Sequence, residues 1–157
     1  MNRSNRFMTS LLGALVIGAG MTIAAPAFAA GSQFVKVDSH RDFNATVSAL
    51  KEAISSNQMM VMGTINQARV MSMTGLKLEG AESFLVGNPQ AGKMAFSMNP
   101  AAGSVLPVRV YVWADHGKTF IGYFQPSSQL DQIDPGFNMM GNMLDKKLGM
   151  ITQAAAK

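Results

Sequence analysis

Three groups of residues in this chain have types and spacings that could do chemistry. The first is sulfur. Met60-x-Met62, Met71-x-Met73 and Met139-Met140-x-x-Met143 cluster thioethers in a chain of 14 Met and no Cys. Thioethers are soft donors that suit Cu(I). Met60, Met62, Met71 and Met73, with His116 as a nitrogen donor, therefore make a candidate copper set. The same residues admit a packing reading. Met60 and Met62 share one face of a strand and could fill core, and Met140 and Met143 stand three apart on a helix. Met suits irregular cores and pliable partner surfaces alike.

The second group is "LVGNPQAGKM", Leu85 to Met94. Gly87 to Lys93 has the Gly-x4-Gly-Lys spacing of a phosphate-binding loop. That loop needs Ser or Thr after the Lys to hold magnesium, and free backbone N–H groups facing the phosphates. Met94 follows instead, and Pro89 has no N–H to offer. A helix start explains the residues better. Asn88 is a capping residue, and Pro89 takes the first helical position, where its missing N–H costs nothing. Gly87 then lets the strand turn. What survives is the general attraction of a helix N-terminus for an anion.

The third group is Arg109 with its neighbours. In "PVRVYVWAD" the alternation puts Val108, Val110, Val112 and Ala114 on one face and Arg109, Tyr111 and Trp113 on the other. An Arg there either pairs with a carboxylate or recognises an anion. Other chemistry has little support. Ser127 or Ser128 with His116 lacks a nucleophile motif. The nine acidic residues show no paired spacing, and His40 and His116 read as solvated loop residues. No spacing suits zinc or calcium.

These groups need elements to position them. Arg3 and Arg6, the apolar run Leu11–Ile23 and the Ala27-Phe28-Ala29 pattern have the layout of a secretory signal peptide cleaved after Ala29. Residues 1–29 are thus expected to be removed, leaving one domain over 30–157, periplasmic, with no stable membrane insertion. Of 13 Lys and Arg, two precede the cleavage site, so 11 face nine acidic residues. That scattered, near-neutral balance argues against nucleic acid as a partner.

The periodicities predict a strand over 33–39, then a helix capped by Asp42 with Phe43, Val47, Leu50 and Ile54 on one face. A strand at 58–66, a short helix at 67–75 ending on Gly75, and a strand at 82–87 follow. Next come the Asn88 helix, a hairpin turning at Asp115-His116-Gly117, and a C-terminal amphipathic helix from Asn138. The last carries Met139, Met143, Leu144, Leu148 and Ile151 on or near one face, with Gly141 weakening its first turn. The order predicts an α+β single-domain sandwich with a mixed β-sheet and helices packed on it.

The set "ATVSALKEAI", "INQARVMSMTGLKL", "FLVGNPQAGKMAF" and "LPVRVYVWADHGKTFIGY", with the following "QP", resembles the family catalogued as domain of unknown function 302. Gly87-Asn88-Pro89 and Leu106-Pro107-Val108-Arg109 carry the resemblance most specifically. It implies a small α+β fold, of the type described as TT1751-like, and a homodimer. It implies no established activity. It also directs attention to Asn88, Arg109 and Tyr123 as the lining of a shallow pocket for a small anionic ligand. The chain departs from the family pattern at Asn66-Gln67, where relatives tend to carry Asp-His. An amide pair hydrogen-bonds but does not titrate near neutral pH. The leading expectation is a non-enzymatic exported binding or accessory protein without a cofactor. The alternatives are a Met/His copper protein and an enzyme that orients a small anionic substrate on Arg109.

Overall fold

The structure, a computed structural model, describes residues 33–157. The expected signal peptide, 1–29, lies outside the described residues. The chain runs β1 (Phe34–Ser39), α1 (Phe43–Ser56), β2 (Met60–Asn66), α2 (Gln67–Ser72), β3 (Gly80–Gly87) and α3 (Pro89–Met98). A 3-10 turn, Pro100–Ser104, follows. The remainder is β4 (Val108–Asp115), β5 (Lys118–Phe124), α4 (Pro126–Leu130) and α5 (Asn138–Ala156).

The five strands form one sheet in the order β1-β5-β4-β3-β2. Every pairing is antiparallel. The α+β class stands, and the sheet is antiparallel rather than mixed. The reason is the path of the chain: β2 to β5 follow one another across the sheet, each returning beside its predecessor, while the one crossover, through α1, carries the chain from β1 at one edge to β2 at the other and leaves those two unpaired. A parallel pair needs a crossover of a dozen residues or more.

Local signals formed as read. Asp42 Oδ1 accepts from Ala45 N at 2.8 Å and caps α1. His116 and Gly117 take φ of 50° and 72°, the two left-handed residues of a type I′ hairpin turn, and Asp115 pairs with Lys118 across it.

Alternation along the strands creates two unlike faces. Phe84, Val86, Val108, Val110, Val112 and Ile121 are fully or almost fully buried on one of them. There they meet Leu50 and Ile54 of α1 and Leu148 and Ile151 of α5, in one continuous core. Helices α1 and α5 pack on each other and on that face. Each such side chain contributes about 1.5–3 kcal/mol on leaving water. A second, smaller cluster, Ala95, Ala102, Leu130 and Phe137, closes the end near α4. The opposite sheet face carries Arg109, Tyr111 and Trp113 with Phe34, Phe120 and Phe124. Trp113 stacks on Tyr111 at 5.3 Å and on Phe120 at 5.2 Å.

The C-terminal helix buries a different stripe from the one expected. Leu148, Ile151, Thr152, Ala155 and Ala156 are inside. Met139 and Met143 point out, 76% and 66% exposed. Met60 and Met62 are likewise half exposed, so they do not fill core. Strand β2 is a sheet edge that bulges between Val61 and Gly63, and Met60 pairs with Gly87 on the face opposite the core-facing Val61–Val86 pair.

Among the described residues no helix is long and apolar enough to cross a membrane.

Candidate functional site

Asn88 is occupied by structure at both ends of its amide. Its Oδ1 accepts from Gln90 N at 2.9 Å and Ala91 N at 3.1 Å, and its Nδ2 donates to Gln58 O at 2.8 Å. The first turn of α3 is therefore capped internally, and the phosphate-loop spacing from Gly87 to Lys93 is a helix start. Gly87 lies close to Met62, whose half-exposed, flexible side chain has room to yield. A Cβ there would stand 2.7 Å from Met62 Sδ across the strand pair. Asn88→Ala is expected to cost about 1–2 kcal/mol, a typical lost cap, read as a lower urea midpoint. A loss below a few tenths would show that the cap carries nothing.

Tyr123 also serves the fold. It pairs with Val110 and Val35, on the buried side of β5. Its hydroxyl lies 3.9 Å from where a Cβ on Gly149 of α5 would stand. Burial first, and the charge of Asp145 second, push its pKa up, while the neighbouring Thr152 hydroxyl opposes them.

Arg109 sits on the other face, exposed. It forms no ion pair within 4.0 Å among the described residues. It borders an open hollow of about 510 Å³ together with Gln67, Ser83, Leu85, Tyr111 and Phe34. Pro107, Val105 and Ser104 close one side, and Gly122, Phe124 and Gln129 another. Tyr123 touches this hollow too, but its hydroxyl is on the helix side. Of the three expected residues, then, Arg109 presents its functional group here. Asn88 lines a separate groove along α3.

The hollow's polar floor comes from residues outside that trio. Asn66 caps α2, its Oδ1 accepting from Arg69 N at 2.7 Å. That cap starts a helix at the strand's end and carries Gln67 back over the sheet. Gln67 Nε2 donates to Ser83 Oγ, and Ser83 is only 1% exposed. Gln67 Oε1 is buried with no partner. Exchanging the two amide ends would leave the NH₂ unpaired instead. A buried polar atom without a bond costs about 1–3 kcal/mol, so this hollow holds an unmet demand. Tyr111 stands opposite Ser83 in the strand register. Burial raises its pKa, which keeps the phenol protonated as a donor. Gly122 lets the wall form: a Cβ there would lie 2.5 Å from Phe34 and 2.9 Å from Trp113.

One signal for Gln67 was present in the sequence, because Asn66-Gln67 stands where the resemblance implies Asp-His. An Asp caps as well as an Asn, so the first position is a helix start, and the second faces the hollow.

The family model described as Domain of unknown function DUF302 matches residues 35–155. The chain belongs to the DUF302 family. A crystal structure of an uncharacterized conserved DUF302 protein from Bacillus stearothermophilus is similar to it, with a TM-score of 0.73 at 22% identity. The match covers 78% of this chain and 97% of that one. No curated protein matches. At that identity the likeness bears on fold alone, and it supports the α+β class.

Within this DUF302 chain the other candidate groups do not converge. Ser127 Oγ donates to Asp145 Oδ2, and Ser127 N donates to Asp145 Oδ1 at 3.1 Å. His116 is at the far end of β5, about 20 Å or more along the strand. No Ser-His pair forms. His116 Nδ1 sits 2.8 Å from its neighbour Asp115, with its ring 91% exposed. Met60 and Met62 lie at the start of edge strand β2, while Met71 and Met73 lie on or just past α2, beyond the strand's other end. The expected copper set is thus spread along an edge, with His116 in a turn between two other strands.

Proposed function

We propose that this protein is a non-enzymatic binding or accessory module whose open-face hollow takes a small organic anion with a planar apolar body. The observation that carries the reading is the buried, unpartnered end of the Gln67 amide, in the same hollow as an Arg109 free of carboxylates among the described residues. Arg109 supplies the charge and the protonated Tyr111 donates a directed hydrogen bond; the Gln67 amide, turned so that Oε1 accepts from Ser83 Oγ, donates a second through Nε2. Phe34, Phe124, Leu85 and Pro107 supply flat apolar walls. Sites of this kind are mostly apolar, with a few convergent polar groups. Its polar lining side chains are Gln, Ser, Arg and Tyr, with no carboxylate or imidazole among them. Gln67 stands where a relative's His would, which favours binding over acid–base chemistry.

Export and self-association belong to the same proposal. Export rests on the pattern from Arg3 to Ala29. Self-association rests on the half-exposed Phe34 and Phe124, which leave an apolar strip on the open face.

Native mass spectrometry of the full chain expressed for export reads all three properties. The expected result is a chain lacking residues 1–29, in pairs, carrying added benzoate. Arg109→Gln and Gln67→Ala are each expected to weaken benzoate binding by roughly tenfold or more, the worth of a charge-assisted or buried hydrogen bond. Identical carboxylate binding by wild type and both variants would refute the hollow as the site.

A further inference from the structure

Six of the eleven methionines after residue 30 line one hollow. They are Met59, Met94, Met98, Met139, Met140 and Met143, around a space of about 410 Å³ between α3 and α5. The sequence hides this grouping, because the residues come from three separate segments. Met94 and Met98 are four apart on α3, and Met139 and Met143 four apart on α5. Residues at that spacing stand about 5–6 Å apart on one helix face. Two thioether pairs therefore look into the same space from facing walls, above a buried Met59.

Stability does not account for them. Met94, Met98, Met139 and Met143 are 62%, 52%, 76% and 66% exposed, so the chain forgoes most of the gain from burying them. Leu144 is the only other large aliphatic side chain at this hollow. Contact with an apolar partner would be served equally by Leu or Ile, which do not oxidise as Met does. The surplus is specifically sulfur.

No carboxylate or imidazole joins them. That excludes the hard cations, and it leaves nothing to neutralise a dication. The one cationic group at the rim, Lys147, donates to Asn57 O at 3.1 Å.

We propose that Met94, Met98, Met139 and Met143 form a thioether site for a soft monovalent cation, Cu(I) or Ag(I). This site shares no residue with the open-face hollow and stands or falls separately from it. Soft thioether ligands select such ions, and Met's three rotatable bonds let four sulfurs close on a centre.

The test is anaerobic titration of the exported protein with Cu(I) against a chromophoric chelator, repeated with Ag(I). Met94→Leu/Met98→Leu and Met139→Leu/Met143→Leu keep the groove's volume and apolarity. Each pair is expected to weaken Cu(I) binding about tenfold or more, equivalent to about 1.4 kcal/mol. Met60→Leu/Met62→Leu is expected to leave it unchanged, and X-ray absorption should show a sulfur-only shell. Failure of the wild-type protein to compete for Cu(I) would overturn the site. So would undiminished binding by both groove variants, which would mark the groove as a purely apolar surface.

Discussion

Phe84→Ala is expected to lower the stability of this protein by about 3–5 kcal/mol, the range for deleting a buried aromatic ring. Phe84 is 0% exposed on β3, opposite Val110 on one side and Thr64 on the other. Its ring lies in the cluster that joins the sheet to α1 and α5. The cavity would have walls on three elements, and the sheet fixes two of those positions, so collapse is restricted. The chain has no Cys, so no disulfide limits the unfolded state. Domains of this size are stable by about 5–15 kcal/mol, so the loss removes about a fifth of the total or more. Urea unfolding followed by circular dichroism should show a much lower midpoint with an unchanged slope. A loss below about 1 kcal/mol would mean that the core relaxes freely, against the packing described.

Gly141→Ala is expected to destabilise by about 1–3 kcal/mol, the cost of forcing a methyl into a packed contact. This goes against helix propensity, which favours alanine by about 1 kcal/mol in a helix interior. Propensity loses because a Cβ on Gly141 would stand 2.5 Å from the Ser127 Cα and 3.3 Å from its N. Backbone cannot rotate away as a flexible side chain can. The contact is also where Asp145 holds the start of α4 through both Ser127 N and Oγ. Pushing α4 off α5 weakens those bonds. Thermal unfolding should register a fall of several degrees, at roughly 4 °C per kcal/mol. A variant more stable than wild type would show that α4 moves without cost, and that Gly141 is only a weak point in α5.

These two variants divide what was legible from what was not. The burial of Val108, Val110 and Val112, the α1 face and the Asn88 cap all depend on residues within a few positions of each other. Period and capping chemistry reveal them directly. The position of Tyr123 was readable in principle. A two-residue turn pairs Val112 with Ile121 and Val110 with Tyr123, which puts the tyrosine on the valine side. The family pattern drew attention to the residue and away from its register. Gly141 was read by its local effect on a helix, whereas its reason lies in Ser127, fourteen positions earlier. The short helix α4, with no side-chain cap at its own N-terminal residue, had no local signal of comparable strength. It exists because Pro126 and Leu130 are buried and α5 supplies Asp145.

The candidate sites divide in the same way. The sequence could name Arg109 as an outward-facing cation and mark Asn66-Gln67 as a departure. It could not place Gln67 over Ser83, because that depends on α2 folding back across β3. Nor could it show which methionines meet. Pairs such as Met60-x-Met62 are neighbours in the chain, yet they lie outside the hollow that six others share.

By itself the sequence determined most of the elements, their class and one row of the core, since these follow from side-chain period, caps and turns acting over short distances, and its motifs marked the family. The tertiary structure alone decided the antiparallel pairing, which sheet face stays open, and which sulfurs and amides converge. Those outcomes depend on where helices far apart in the chain come to rest, as α1 and α5 do, and no local pattern encodes that.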